Sequence, residues 1–191
     1  SSAASDVYKR QILINPNCLI EESLKITILT SVAILSAIKS VCNLDVKLKW
    51  VNDIILNDLK VGGILCESQI NLNTNLIDNM IVGIGINVKE FEFPPSLKNI
   101  ATSIENNTNF KISRNKLISE IINFFDLYFI EKTNYIDLYK ENSYVLGRDI
   151  KVIQNDRQFF AKAIDIDNNG SLIVQEQEKI IKLISSDISI R

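Results

Sequence analysis

Residues 47–67 read KLKWVNDIILNDLKVGGILCE, and this stretch decides how the fold is interpreted. Two apolar, β-branched runs flank Asn57-Asp58, a dipeptide typical of a tight turn between antiparallel strands. The stretch also places Lys49, Trp50, Asn52 and Asp53 together before this turn and the pair Gly62-Gly63 after it. They fit two interpretations: a hairpin whose polar residues only mark its ends, or a site that holds an anion beside an aromatic side chain.

The composition is that of a soluble globular protein. The 191 residues carry a formal net charge of −2, which argues against a general nucleic-acid-binding surface. No uninterrupted run of eighteen apolar residues occurs, so we expect no membrane span. Cys18, Cys42 and Cys66 have neither zinc nor disulfide spacing, and a cytoplasmic location is expected. The sequence has no histidine, which excludes Ser-His and Cys-His catalysis and His-ligated metals.

The chain divides into three parts by composition and pattern. Residues 1–11 are small and polar, and we expect a non-native, disordered leader; a genuine flexible N-terminus is the alternative. Residues 12–146 combine strand-like runs with helical patterns over 21–42 and 113–132. Five short strand-like runs then predict a small β-barrel at 147–191.

A second motif, MIVGIGINV, occupies residues 80–88 and predicts an apolar strand after a polar loop at 71–79. Gly83 and Gly85 alternate along it, so they lie on one face and leave a strip against which a flat ligand can rest. Asn87 ends this strip with an amide. Close packing is at least as good an explanation of the glycines taken alone, and the dinucleotide-binding fingerprint is excluded because no third glycine and no following helix appear.

Taken in order, KWVNDIILNDLKVGGILCE, IVGIGINV and ATS at 101–103 closely resemble the biotin–protein ligase family. The resemblance covers about residues 12–191. It implies an α/β (α+β) fold, in which a fragment of a catalytic domain related to class II aminoacyl-tRNA synthetases precedes a Src-homology-3-like β-barrel. It also implies ATP- and Mg²⁺-dependent attachment of biotin, through biotinyl-5′-adenylate, to a lysine of a biotin carrier domain of the acetyl-CoA carboxylase type.

The resemblance assigns roles to individual residues. Lys49 matches the catalytic lysine that contacts biotin and the adenylate phosphate, and Asn87 matches an asparagine near the ATP phosphates and, indirectly, Mg²⁺. Ala101 lies in a loop that contacts adenine in the family. The residues expected to bind substrate or nucleotide are Trp50, Asn52, Asp53, Lys60, Gly63, Gly83, Gly85, Ile86, Asn87, Ala101, Lys182 and Arg191. For Lys182 and Arg191, solvated charges on a barrel surface are an equally good explanation.

Two departures from the family pattern matter. Val51 stands where the family usually has proline, and the family's Gly- and Arg-rich biotin-binding loop should precede Ile12. We therefore expect these 191 residues alone not to be a competent ligase, although the full-length parent would be. A lipoate–protein ligase and a non-catalytic, biotin-responsive binding module are the alternatives. The sequence is compatible with a homodimer that forms through an exposed sheet edge. It does not decide whether a DNA-binding segment lies upstream.

Overall fold

The computed structural model describes residues 7–131, 134–154 and 157–190. Within these ranges the elements are β1 (Val7–Ile14), β2 (Cys18–Leu19), α1 (Ser23–Cys42), β3 (Lys47–Lys49), β4 (Asp53–Leu56), β5 (Leu59–Asn71), β6 (Leu76–Asn87), α2 (Arg114–Glu131), α3 (Tyr135–Glu141), β7 (Asp149–Gln154), β8 (Arg157–Ile166), β9 (Leu172–Glu176), β10 (Lys179–Leu183) and β11 (Asp187–Ile190). The strands form two antiparallel sheets, so the predicted mixed α/β fold is confirmed.

The first sheet has the strand order β1-β6-β5-β4-β3, with β2 paired to the far end of β6. The predicted hairpin, formed by β4 and β5, lies at the centre of this sheet. Asn57 and Asp58 connect β4 to β5, with φ angles of 49° and 64°. Two consecutive left-handed residues match the right-handed twist of the flanking strands, and Asn and Asp tolerate this conformation well. The turn thereby brings the two halves of the quoted stretch side by side.

Two predicted boundaries in this sheet are wrong. Val7–Gln11 belong to β1 and pair with β6, so the expected disorder of residues 1–11 does not apply to them; residues 1–6 lie outside the described ranges. The polar loop expected at 71–79 is also shorter, because β6 already begins at Leu76. In both places the ladder is made by backbone groups, which pair whatever the polarity of the side chains.

Helix α1 packs against the first sheet and against α2 and α3. By length and composition alone, residues 20–42 would also suit a membrane span. Twelve of the 20 residues of α1 are buried inside the protein, however, as expected for a core helix that is apolar nearly all round. Two of its buried hydroxyl groups are satisfied within the helix, since Thr30 and Ser31 donate to the carbonyls of Ile26 and Thr27, and the hydroxyl of Thr27 donates to Sγ of Cys66 on β5.

The second sheet has the order β10-β9-β8-β7-β11 and holds the five strands predicted for this part of the chain. The connection before it lies along the edge of β3: Leu48 donates its N–H to the carbonyl of Asn142, and Tyr144 donates to that of Leu48. The edge of β3 is therefore covered by the connecting segment. Division of the chain after residue 146 stays a prediction.

Candidate functional site

One row of paired residues crosses four strands of the first sheet. Lys49 pairs with Asp53, Asp53 with Gly63, and Gly63 with Gly85. Directly paired residues of antiparallel strands project to the same side of the sheet. The register thus brings the two motifs of the sequence together on one face, with charged side chains at one end and two glycines at the other.

Two lysines share a single carboxylate at the charged end. The Nζ atom of Lys49 lies 3.8 Å from Oδ2 of Asp53, and the Nζ atom of Lys60 forms an ion pair with Oδ1 of the same residue. The side chains of Lys49 and Asp53 are 24% and 20% exposed. Because two ammonium groups face one carboxylate, the group has a net positive charge that suits a phosphate or carboxylate ligand.

The glycines keep this face open. A Cβ atom on Gly63 would lie 3.3 Å from Cε and 3.4 Å from Nζ of Lys60, so a side chain there would press on the lysine. Along β6, Gly83, Gly85 and Asn87 alternate with core residues. Ile86 is one of those core residues and is 1% exposed. Its expected role in nucleotide binding is therefore wrong for its side chain, which lies on the opposite face.

A short segment closes the end of the glycine strip. Lys60 donates its N–H to the carbonyl of Ile100 (2.8 Å), and Thr102 donates to that of Lys60 (2.9 Å), which sets Ala101 beside Lys60. The amide nitrogen of Asn87 donates to the carbonyl of Thr102 (3.0 Å). A phosphate oxygen would therefore accept the second N–H of the Asn87 amide, and a metal-bound water would donate to its Oδ1 atom.

Glu105 anchors this segment, and sequence reasoning missed it. Its side chain is 2% exposed and lies 2.9 Å from Nζ of Lys89. It also accepts the backbone N–H groups of Ile112 (2.8 Å) and Glu90 (3.2 Å). Burial alone would raise the pKa of this carboxyl, but the bonds from Lys89 and the two N–H groups outweigh it and hold the pKa at about 2. A lone Glu in a polar stretch gave no sequence signal.

The side chains of Trp50 and Asn52 are held by hydrogen bonds to backbone carbonyl groups of the chain. The ring of Trp50 is buried, with 2% of the residue exposed, and its Nε1–H donates to the carbonyl of Gly170 at 2.9 Å. Trp50 borders the cleft beside Lys49 with almost no exposed surface, and its expected contact with a ligand stays a prediction. The side chain of Asn52 donates to the carbonyl of Ile64 (3.0 Å), and Ile64 donates back to the carbonyl of Asn52 (2.9 Å). Both residues fix the turn after Lys49, where the peptide bond between Trp50 and Val51 is cis.

Of the two basic residues expected from the terminal strands, the structure describes only Lys182. Lys182 pairs with Asp167 in the turn before β9, at 2.6 Å, so its expected contact with nucleotide is not supported by its position. Arg191 lies outside the described residues. A cleft of about 430 Å³ separates the Lys49 turn from the second sheet. Its lining includes Lys49, Asn52, Asp53, Gln154, Ser186 and Asp187, and the last three of these carried no signal in the sequence.

Comparison with known proteins places this geometry in a family. The profile described as Biotin/lipoate A/B protein ligase family matches residues 17–87, and the profile described as Biotin protein ligase C terminal domain matches residues 145–191. Together the two profiles match more than half of the chain.

Individual relatives agree with the profiles. The bifunctional ligase/repressor BirA of Bacillus spizizenii is 32% identical over 187 residues, covering 94% of this chain and 57% of that protein. A crystal structure of biotin protein ligase from Aquifex aeolicus has a TM-score of 0.84 at 22% identity and covers 100% of this chain and 85% of that one. The Aquifex enzyme in complex with biotin and ATP has a TM-score of 0.76 at 22% identity, covering 97% and 78%.

The chain thus spans little more than half of the Bacillus relative, and its likeness to the Aquifex structures is one of fold. The ordered motifs, the profile matches at both ends and the shared fold lead to one assignment: this chain belongs to the biotin–protein ligase family.

Proposed function

We propose that this protein attaches biotin to a lysine of a biotin carrier domain in two steps that consume ATP. First, a carboxylate oxygen of biotin attacks the α-phosphorus of ATP, which forms biotinyl-5′-adenylate and releases pyrophosphate. Second, the neutral amine of the carrier lysine attacks the acyl carbon, an amide bond forms and AMP leaves. The observation that carries the proposal is the Lys49–Asp53–Lys60 group beside the open strip of glycines.

The charge at this group suits the first step. Two anions, a carboxylate and a triphosphate, must approach each other, and negative charge grows on the phosphate oxygens in the transition state. A lysine held by a strand and a tight turn offers fixed positive charge without reorganisation, and one such group contributes a few kcal/mol. We assign Lys49 this catalytic role. Lys60 and Asp53 keep its ammonium group in place and maintain the positive balance of the site.

We expect Mg²⁺ to arrive with ATP as part of the substrate. Among the described residues, no group of three His, Cys, Asp or Glu side chains lies close enough together to hold a metal ion. Mg²⁺ is commonly bound mainly by substrate phosphates and water, so a dedicated protein cage is not needed. We assign the Oδ1 atom of Asn87 to the orientation of a metal-bound water, and the Ala101 segment to contact with the adenine.

Biotin is favoured over lipoate by two observations. The terminal residues 145–191 match a biotin protein ligase domain, and Lys49-Trp50 follows the biotin family pattern. The structure of the related Aquifex enzyme has been solved with biotin and ATP.

We further propose that the acceptor is a carboxylase carrier domain and that the protein is located in the cytoplasm. For the fold, we propose a class II synthetase-like catalytic domain followed by a Src-homology-3-like barrel. We also propose a homodimer that pairs through the exposed edge of the first sheet.

The test measures biotinyl-5′-adenylate formed from biotin and radiolabelled ATP. Two samples are compared: the chain itself, and a chimera in which the part of the Bacillus spizizenii relative that precedes the matched region is placed before Ile12. We expect the chimera to form the adenylate and to transfer biotin to a carrier domain, and Lys49→Ala to lower the rate of adenylate formation by about 10²–10³-fold.

The outcomes are distinct. Adenylate formation with lipoate in preference to biotin would overturn the substrate assignment. A folded chimera that binds biotin but never consumes ATP would favour the binding-module alternative. Full activity of the Lys49→Ala chimera would refute the assigned role of Lys49.

A further inference from the structure

The turn between β8 and β9 is docked onto the first part of the chain. Asp167 organises this turn, because its Oδ1 atom accepts the N–H groups of Asn169 and Ser171, both at 2.9 Å. At the tip of the turn, the carbonyl of Gly170 accepts the indole N–H of Trp50 at 2.9 Å. A buried indole N–H seldom lacks a partner, so this bond fixes both the ring and the turn.

Gly170 is suited to this place for two reasons. Its φ angle is +84°, a region that other residues adopt at a cost. A Cβ atom there would lie 2.8 Å from Cγ1 of Ile28 and 3.3 Å from Cγ of Leu24, both on α1. Ile28 is fully buried and cannot move aside freely. The turn therefore fits between α1 and the Trp50 ring only while residue 170 has no side chain.

This docking lies one residue from the proposed catalytic lysine. Trp50 directly follows Lys49, and the Lys49 side chain lines the cleft that faces the second sheet. On the other side, β3 is held by Leu48, whose N–H and carbonyl groups are both bonded to the segment that leads into the second sheet. The position of Lys49 thus depends on contacts made by the later part of the chain.

From these contacts we infer that Trp50 is a positioning residue: it transmits docking of the β8–β9 turn to Lys49, and so makes the second sheet a structural part of the site. Undocking of the turn releases the Trp50 ring and, with it, the strand end that aims the lysine. The consequence for catalysis rests on the proposed function, whereas the coupling between Gly170 and Lys49 is independent of it.

The chain provides its own probe and a matched control. Trp50 is the only tryptophan, so its fluorescence reports the docking directly. Gly170→Ala is compared with Gly147→Ala. Gly147 has a similar φ of +80°, but a Cβ atom there meets nothing within 4 Å, so the two variants share the backbone cost and differ in the collision with α1. The second measurement is the rate at which individual lysines are acetylated by acetic anhydride, read by mass spectrometry.

In Gly170→Ala we expect Trp50 emission to shift to longer wavelength, its quenching by acrylamide to rise, and acetylation of Lys49 to rise several-fold. Acetylation of the exposed Lys47, two residues away, serves as the internal reference and should not change. Gly147→Ala should match the wild type in all three readouts. Equal behaviour of the two glycine variants, or undocking without any change at Lys49, would overturn the inference.

Trp50→Phe covers the case in which Gly170→Ala fails to fold. Phenylalanine keeps one aromatic ring but removes the N–H donor to Gly170 together with the second ring of the indole. We expect far-UV circular dichroism to be retained and Lys49 acetylation to rise relative to Lys47; an unchanged ratio would contradict the positioning role. None of these readouts needs biotin or ATP, so a protein that bound neither would refute the proposed function while leaving this test intact.

Discussion

At the scale of single residues, the site depends on which side chains reach the open face of the sheet. Lys49, Lys60 and Asp53 reach it, whereas Trp50 and Ile86 are buried although they lie within the same motifs. Membership of a motif therefore does not decide whether a side chain can touch a ligand. The alternation along a strand and the neighbours of each residue decide it.

Removal of the Lys49 charge should affect the phosphate chemistry far more than the fold. We expect Lys49→Ala to lower the rate of adenylate formation in the chimera by about 10²–10³-fold, the range found when one aimed transition-state contact is lost. Lys47→Ala, on the same strand and exposed, is the control and should be close to the wild type. Equal losses in both variants would mean that general positive charge, and not an aimed group, matters.

At the scale of elements, the contact between β5 and β6 requires a glycine at position 62. A Cβ atom on Gly62 would lie 2.8 Å from the carbonyl oxygen of Gly85, which belongs to the backbone and cannot rotate away. We expect Gly62→Ala to lower the free energy of unfolding by roughly 1–3 kcal/mol, as for other overpacked core sites. Urea denaturation measures it, and a loss no larger than that of Gly147→Ala would contradict the expected collision.

The segment from 88 to 112 should respond to acid through Glu105. Because the pKa of Glu105 is held at about 2 in the folded protein, below its ordinary value, this carboxylate stabilises the segment at higher pH. The stabilisation is fully present above about pH 4.5 and is lost as the pH falls towards 2. We expect the protection of the Thr102 and Ile104 amides from hydrogen exchange, taken relative to the intrinsic exchange rate at each pH, to fall across this window.

Glu105→Gln should remove that acid response and loosen the segment at neutral pH, since Lys89 then lacks its buried carboxylate. Glu90→Gln is the matched control, because Glu90 likewise forms an ion pair with a lysine, Lys111, but its side chain is 72% exposed. An acid transition that persists in Glu105→Gln would place its origin at another carboxyl group.

At the scale of the whole molecule, the two sheets should unfold together. Trp50 directly follows strand β3 of the first sheet. Its indole N–H donates to the carbonyl of Gly170, in the turn between two strands of the second sheet. We expect urea unfolding followed by Trp50 fluorescence and by far-UV circular dichroism to give coincident transitions. If the fluorescence changed at lower urea than the circular dichroism, the second sheet would undock first, and the molecule would behave as two units.

Much of the architecture could be predicted because it rests on local patterns. The Asn57-Asp58 turn, the apolar period of α1 and the five short terminal strands each have a nearby signal in the chain. The extent of β1 and β6 could not be predicted in this way. Their pairing is made by backbone groups, and polar residues at 7–11 and 76–79 give no sign that a partner strand is available.

The sequence by itself determined the order of the motifs, the family they belong to and the lysine at the centre of the site. Only the tertiary structure decided that Asp53 pairs with two lysines, that Glu105 holds the segment beside Asn87, and that the indole N–H of Trp50 bonds to Gly170. The physical reason is distance along the chain. Local signals set turns and periodicity, whereas a contact such as Trp50 with Gly170 joins residues 120 positions apart and exists only once both sheets have packed.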